Sequence, residues 1–176
     1  ALSYEGPFGV GYGVCAFTPG AADESRHFLD EALRRENERL KSRKAGEDEY
    51  VRLARLSVET FVRTRQGARL PPDVSEELTS RRAGVFTTLY KNGQLRGCIG
   101  TTAPTTENVA QEILQNGISA CSRDPRFPPV TEAELPYLEY SVDVLGAPEE
   151  IASPAQLDVK RYGVIVSCGG RRGLLL

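Results

Sequence analysis

The stretch GVFTTLYKNGQLRGCIG, residues 84–100, constrains this chain more than any other. Two β-prone runs flank Asn92-Gly93, the dipeptide favoured in a two-residue type I′ turn. Such a turn sets Lys91 opposite Gln94 and so fixes the pairing of both strands. The register predicts Tyr90 opposite Leu95, Thr88 opposite Gly97 and Phe86 opposite Ile99 on one mostly apolar face. The other face then carries Leu89 opposite Arg96, Thr87 opposite Cys98 and Val85 opposite Gly100. Arg96 and Cys98 share a face at two-residue spacing, about 7 Å between α-carbons.

Around this hairpin the chain alternates strand-like and helical patterns. Residues 1–19, rich in glycine and small apolar residues, read as one strand that needs a partner elsewhere. Residues 20–46 are strongly charged and read as a connector helix, with Phe28, Leu29, Leu33 and Leu40 on a narrow stripe. A second helix is expected from Asp48 to Arg65, ended by Gly67, with a short helical turn near Val74 to Leu78. Pro104 with Thr105 or Thr106 is read as the start of a third helix reaching Cys121. Pro125, Pro128 and Pro129 exclude regular structure over 122–130. Thr131 and Glu134 have capping-box spacing. Residues 137–145 alternate, with Leu138, Tyr140, Val142 and Val144 facing in. Tyr162 to Cys168, Gly169-Gly170 and the run from Arg172 form a last hairpin. The expected fold is α+β, with antiparallel hairpins packed against helices.

Composition narrows the function classes. The chain has 176 residues, 40% apolar and 26% charged, with a net charge of −2. That mix is globular, and the charge excludes a broadly basic nucleic-acid coat. No base-stacking aromatic motif points to nucleic acid either. No apolar run has the roughly 18 residues of a membrane span. His27 is the single histidine, which excludes metal sites built on several imidazoles, and no metal site is expected in this chain. Cys15, Cys98, Cys121 and Cys168 form no CxxC pair, so reduced thiols and a cytoplasmic location are expected. The chain begins at Ala1, contains no Met and stops in Leu174-Leu175-Leu176, so both ends are expected to be cut.

Three ordered blocks carry a resemblance. Leu95-Arg96-Gly97-Cys98-Ile99-Gly100 resembles the signature of the AMMECR-one domain family. Asp124-Pro125-Arg126-Phe127-Pro128-Pro129-Val130 looks like a second family block. Arg161-Tyr162-Gly163-Val164 through Arg171-Arg172-Gly173-Leu174-Leu175-Leu176 looks like a third. The resemblance runs from about residue 48 to the end, giving a family domain over 47–176. Family domains normally continue past the last Leu run with further strand and helix. Ser3 to Tyr12 looks like the last strand of a Memo-type domain, similar to class III extradiol dioxygenases. The resemblance therefore implies a bacterial fusion: residues 1–19 as the tail of an upstream Memo-like domain, 20–46 as connector. It implies iron held upstream, no cofactor in this chain, and association with a radical-SAM protein. The family carries no assigned reaction.

The residues themselves suggest a site. A guanidinium beside a thiol favours the thiolate, so Cys98 next to Arg96 is a candidate nucleophile. Gly97 and Gly100 leave backbone open to a ligand or another chain. Asp124 and Arg126 are presented by the stiff Pro125 loop, with Asp124 able to orient Arg96 or Arg126 and Phe127 anchoring the loop. Arg171 and Arg172 beside glycines can bind an anion. Three uses of Leu95–Gly100 stay open: a cleft for a small anionic ligand or an accessory to a Memo-like domain, a protein-interaction scaffold, and a thiol enzyme. A purely structural role competes with each. Cys98 can be a buried filler, and Arg96 can pair with Glu139 or Asp143.

Overall fold

A computed structural model describes residues 3–5, 12–18, 20, 21, 23, 25–158 and 162–175, without the side chains at 3–5, 12 and 172. Most of the Memo-type segment (6–11), Arg161, Leu176 and the Arg172 side chain therefore lie outside the described residues. The chain divides into two compact units, Ala1–Gly46 and Glu47–Leu176.

In the first unit, β1 (Ser3–Glu5) pairs antiparallel with β2 (Tyr12–Val14), Tyr4 opposite Gly13. The expected single strand is thus two short strands that satisfy each other. Cys15 is exposed. Helix α1 (Phe28–Ala45) follows, with acidic residues in its first turn and basic ones in its last, as the helix dipole favours. It buries none of its residues, and Phe28, Leu29 and Leu33 stay exposed.

The second unit is built on helix α2 (Glu49–Thr64), the short α3 (Glu76–Ser80) and a sheet with order β4-β3-β5. Its strands are β3 (Val85–Lys91), β4 (Gln94–Gly100) and β5 (Leu138–Val144). Asp48 caps α2 by accepting the Val51 N–H at 2.9 Å. Arg65, at φ 60°, ends α2 in the left-handed region, two residues before the glycine expected to do so. Helix α4 (Val109–Ser122) packs with α2 over one sheet face. The core joins Leu53, Val58 and Val62 of α2 and Ile113 and Leu114 of α4 to Val85, Leu89, Leu138 and Tyr140. A separate hairpin, β6 (Val164–Cys168) and β7 (Arg171–Leu175), turns at Gly169-Gly170, both at positive φ.

The central hairpin departs from its expected register. Asn92 and Gly93 adopt φ of 53° and 74°, and Lys91 faces Gln94 and Tyr90 faces Leu95. A β-bulge then places Leu89 opposite Gly97, Thr88 opposite Cys98, Thr87 opposite Ile99 and Phe86 opposite Gly100. One extra residue on β4 accounts for the shift. Val85, Thr87 and Leu89, all fully buried, lie on the helix side, where the shift sets Ile99 and Gly97 opposite Thr87 and Leu89. Phe86, Thr88 and Cys98 go to the other side, so the expected apolar grouping of Phe86, Thr88 and Tyr90 with Gly97 and Ile99 is inverted.

Candidate functional site

The β4 edge is where the predicted residues gather. Its outward main-chain groups at Cys98 lack a neighbouring strand, and an unpaired edge invites pairing with another chain. Here side chains take that role. The Cys98 N–H donates to Asp124 Oδ2 at 2.9 Å, and Arg126 Nη2 donates to the Cys98 carbonyl at 3.1 Å. Arg126 also grips Asp124 through Nε and Nη2, at 2.9 and 2.8 Å. Asp124 and Arg126 together imitate the peptide group of an adjacent strand. Pro125 makes this possible: the turn closes with Phe127 N–H on the Asp124 carbonyl at 3.2 Å, and Val130 N–H ties the loop to Cys121 at 2.8 Å.

The Asp124 side chain is only 2% exposed, and the Arg126 guanidinium holds its carboxyl well below the usual carboxylate range. Asp124 in turn raises Arg126 above its ordinary value. The Arg126 side chain remains 53% exposed, and no described residue accepts from its Nη1. Phe127 is half-buried, its ring centroid 5.5 Å from the Arg126 guanidinium and 6.0 Å from that of Arg96. The loop is pinned in the core by Val130, not by Phe127 as expected.

Arg96 goes elsewhere. It forms a two-pronged pair with Glu134, at 3.0 and 3.1 Å, and Lys91 Nζ joins the same carboxylate at 3.0 Å. Arg96 first, with Thr131 and Lys91, holds Glu134 well below its ordinary value against the cost of burial. The partner is therefore neither Glu139 nor Asp143, and the Thr131–Glu134 box serves the hairpin as well as its own turn. Arg96 has no spare exposed fork to offer a ligand.

Gly97 is buried, and a Cβ there would collide with the Ala120 carbonyl oxygen of α4. At Gly100 a Cβ would strike the Phe86 ring and the Val85 carbonyl. The space beside both glycines is filled by the protein's own atoms, so they permit packing rather than ligand approach. Cys98 keeps a half-buried thiol on the face away from the helices, and Thr88 Oγ1 lies 3.3 Å from its sulfur, placed to donate to it. His27 belongs to the other unit. Cys121 is buried, and burial pushes its thiol up to about 11. Arg171 is exposed at its hairpin tip opposite Cys168, with no described hydrogen bond or ion pair to the Cys98 hairpin.

Sequence reasoning missed Glu112. It is fully buried and accepts from the hydroxyls of Thr101, Thr105 and Thr106 and from the N–H groups of Thr105 and Thr106, all at 2.7–2.8 Å. Burial pushes the carboxyl up, but these donors more than reverse it and hold it at about 2. They also delay α4, which starts at Val109 under an Asn108 cap rather than at Thr105 or Thr106. Beside it lies a shallow open depression of about 630 Å³, lined by Arg82, Thr105, Thr106, Glu107 and Gln111. None of the predicted site residues lines it. Among the described residues no cluster of metal-ligating side chains occurs, and no helix is long and apolar enough to cross a membrane.

The profile of one protein family, AMMECR1, matches residues 51–176. The chain belongs to the AMMECR1 family. A Thermotoga maritima protein is 52% identical over 134 residues, covering 74% of this chain and 76% of that protein. Protein CA_C1420 of Clostridium acetobutylicum is 47% identical over 176 residues, 99% of this chain, yet the chain spans only 37% of its length. Among solved structures, uncharacterized protein PH0010 from Pyrococcus horikoshii superposes with a TM-score of 0.68 at 36% identity. It covers 74% of this chain, and 70% of that chain is matched. The α+β architecture is thus the AMMECR1 architecture.

Proposed function

We propose that this AMMECR1 domain binds a small anion at Arg126, beside the Cys98 thiol, on the sheet face left free by α2 and α4. The carrying observation is the held but half-exposed Arg126: Asp124 and the Cys98 carbonyl fix its orientation, and among the described residues none accepts from its Nη1. A fixed guanidinium gives directional recognition of carboxylate or phosphate at little entropic cost. Asp124 offsets much of the charge, so binding is expected to be weak, with Kd on the order of 1 mM. Titration with inorganic phosphate and with acetate, followed by amide NMR, tests this. Shifts should concentrate at Thr88, Cys98, Gly100 and Arg126 and vanish in Arg126→Gln. Saturable shifts elsewhere, or none, overturn it.

The half-exposed thiol also supports the reading in which Cys98 reacts. Thr88 Oγ1 is placed to donate to its sulfur, and Arg126 lies close by on the Cys98 carbonyl, so this reading rests on the thiol's partial exposure. Alkylation of Cys98 below about pH 7, slowed by Arg126→Gln, supports it; labelling only on unfolding ends it.

The domain is proposed to work as the accessory half of a longer protein, with a Memo-like domain upstream that carries any iron and a radical-SAM protein as associate. The length of the Clostridium relative, which aligns with residues of both units here, supports that arrangement. Iron analysis of the longer protein, and co-purification with the radical-SAM protein, test it. Iron-free protein that binds no such partner overturns it.

A further inference from the structure

The depression at the start of α4 shares no lining residue with the Cys98 edge, and two opposite charges line it. Arg82 and Glu107 both border this space of about 630 Å³. No ion pair joins them, and among the described residues neither has one elsewhere. Each is held by a neighbour instead. Arg82 Nε donates to the Thr106 carbonyl at 3.2 Å, and no described residue accepts from its Nη1 or Nη2. Gln111 Nε2 donates to Glu107 Oε2 at 3.5 Å, and no described residue donates to Oε1. The backbone between them is stiff. The N–H groups and hydroxyls of Thr105 and Thr106 are spent on the buried Glu112, and α4 starts directly after under its Asn108 cap.

Covalent geometry limits how far apart the two charges stand. Glu107 directly follows the residue whose carbonyl holds Arg82. That hydrogen bond, one peptide link and an extended Glu side chain keep the guanidinium carbon within about 11 Å of the carboxyl carbon. An α-amino acid, hydrogen-bonded at either end, spans on the order of 10 Å between the same two carbons. The charges also select. A bare anion on Arg82 meets Glu107 on the same wall and Glu112 behind Thr105 and Thr106. A bare cation on Glu107 meets Arg82. A compact dipolar ion gains at both ends.

We infer that this depression binds a free α-amino acid, its carboxylate on the Nη groups of Arg82 and its ammonium on Glu107. The site is separate from the anion reading at Arg126 and adds a second class of ligand.

Glycine and L-alanine, titrated against the intact chain by amide NMR, test this. N-acetylglycine, which keeps only the carboxylate, and glycinamide, which keeps only the ammonium, are titrated beside them. The amino acids should shift the amides of Arg82, Thr105, Thr106, Glu107 and Gln111. Their Kd should be on the order of 1 mM, about two- to fivefold tighter than either half-ligand. Arg82→Gln and Glu107→Gln change exposed residues outside the core, and each should bring the amino acids down to half-ligand affinity. Aminohexanoate with its charges at opposite chain ends overreaches the gap and should bind no better than the halves. Amino acids no tighter than N-acetylglycine overturn the inference, as does the absence of saturable shifts at these amides. So does an affinity that survives both substitutions, or aminohexanoate as tight as glycine. Shifts confined to Thr88, Cys98 and Arg126 overturn it too, and support the Arg126 site alone.

Discussion

Glu112 carries its charge inside the protein with only hydroxyl and amide donors around it. Its carboxyl sits at about 2, below the ordinary 4.5. A depressed carboxylate contributes stability that is present above its unfolded value and lost as pH falls through the folded one. The contribution is about 3 kcal/mol at neutral pH. Urea unfolding should therefore show Glu112→Gln less stable than the parent near pH 6, with the gap closing between about pH 4.5 and pH 2. A gap independent of pH would mean that the carboxylate is not ionised. Gly97 sets the other tight tolerance. Gly97→Ala should cost about 1–3 kcal/mol, because the methyl must displace the α4 backbone at Ala120. Gly97 stood out in the sequence, but its packing role comes from Ala120, a helix away; Glu112 did not stand out, although its donors Thr101, Thr105 and Thr106 lie within 11 residues of it.

Elements differ in how much of themselves they announce. The Asn92-Gly93 turn was legible because the backbone conformation it demands is local. The β5 alternation was legible for the same reason, and Leu138, Tyr140, Val142 and Val144 do face the core side. The bulge in β4 was not, since it answers to Arg96 reaching Glu134, 38 residues on, and to Gly97 meeting Ala120. The start of α4 was misread because Thr105 and Thr106 have the chemistry of caps but spend their hydroxyls on Glu112. Asn108 holds the helix instead, and Asn108→Ala should cost about 1 kcal/mol in chemical denaturation. Thr105→Ala and Thr106→Ala should act through the Glu112 pH dependence rather than as lost caps.

At the scale of the whole chain, every buried hydrophobic residue described lies in Glu47–Leu176. A fragment of residues 47–176 should therefore unfold cooperatively with the denaturant midpoint of the full chain; a large loss would show that the first unit contributes to that core. The family was legible in three short blocks, and two of them, Leu95–Gly100 and Asp124–Val130, meet at Cys98 as a donor–acceptor clamp. Strand β5 belongs to no block, and only strand pairing brings Ser141 and Asp143 into line with Thr88 and Phe86.

The bulge gives β4 something like a reading frame. Beyond it, odd and even positions trade sides: with Arg96 as the extra residue, Gly97 falls inside opposite Leu89 and Cys98 outside opposite Thr88. Pairing Arg96 in line opposite Leu89 would set Gly97 opposite Thr88 and send the thiol toward Ala120, whereas deleting Arg96 would leave Gly97 opposite Leu89 and Cys98 opposite Thr88 in a regular ladder. A codon lost at Arg96 therefore removes the Glu134 ion pair but spares the frame, while one lost at Gly97 would bring Arg96 inward opposite Leu89.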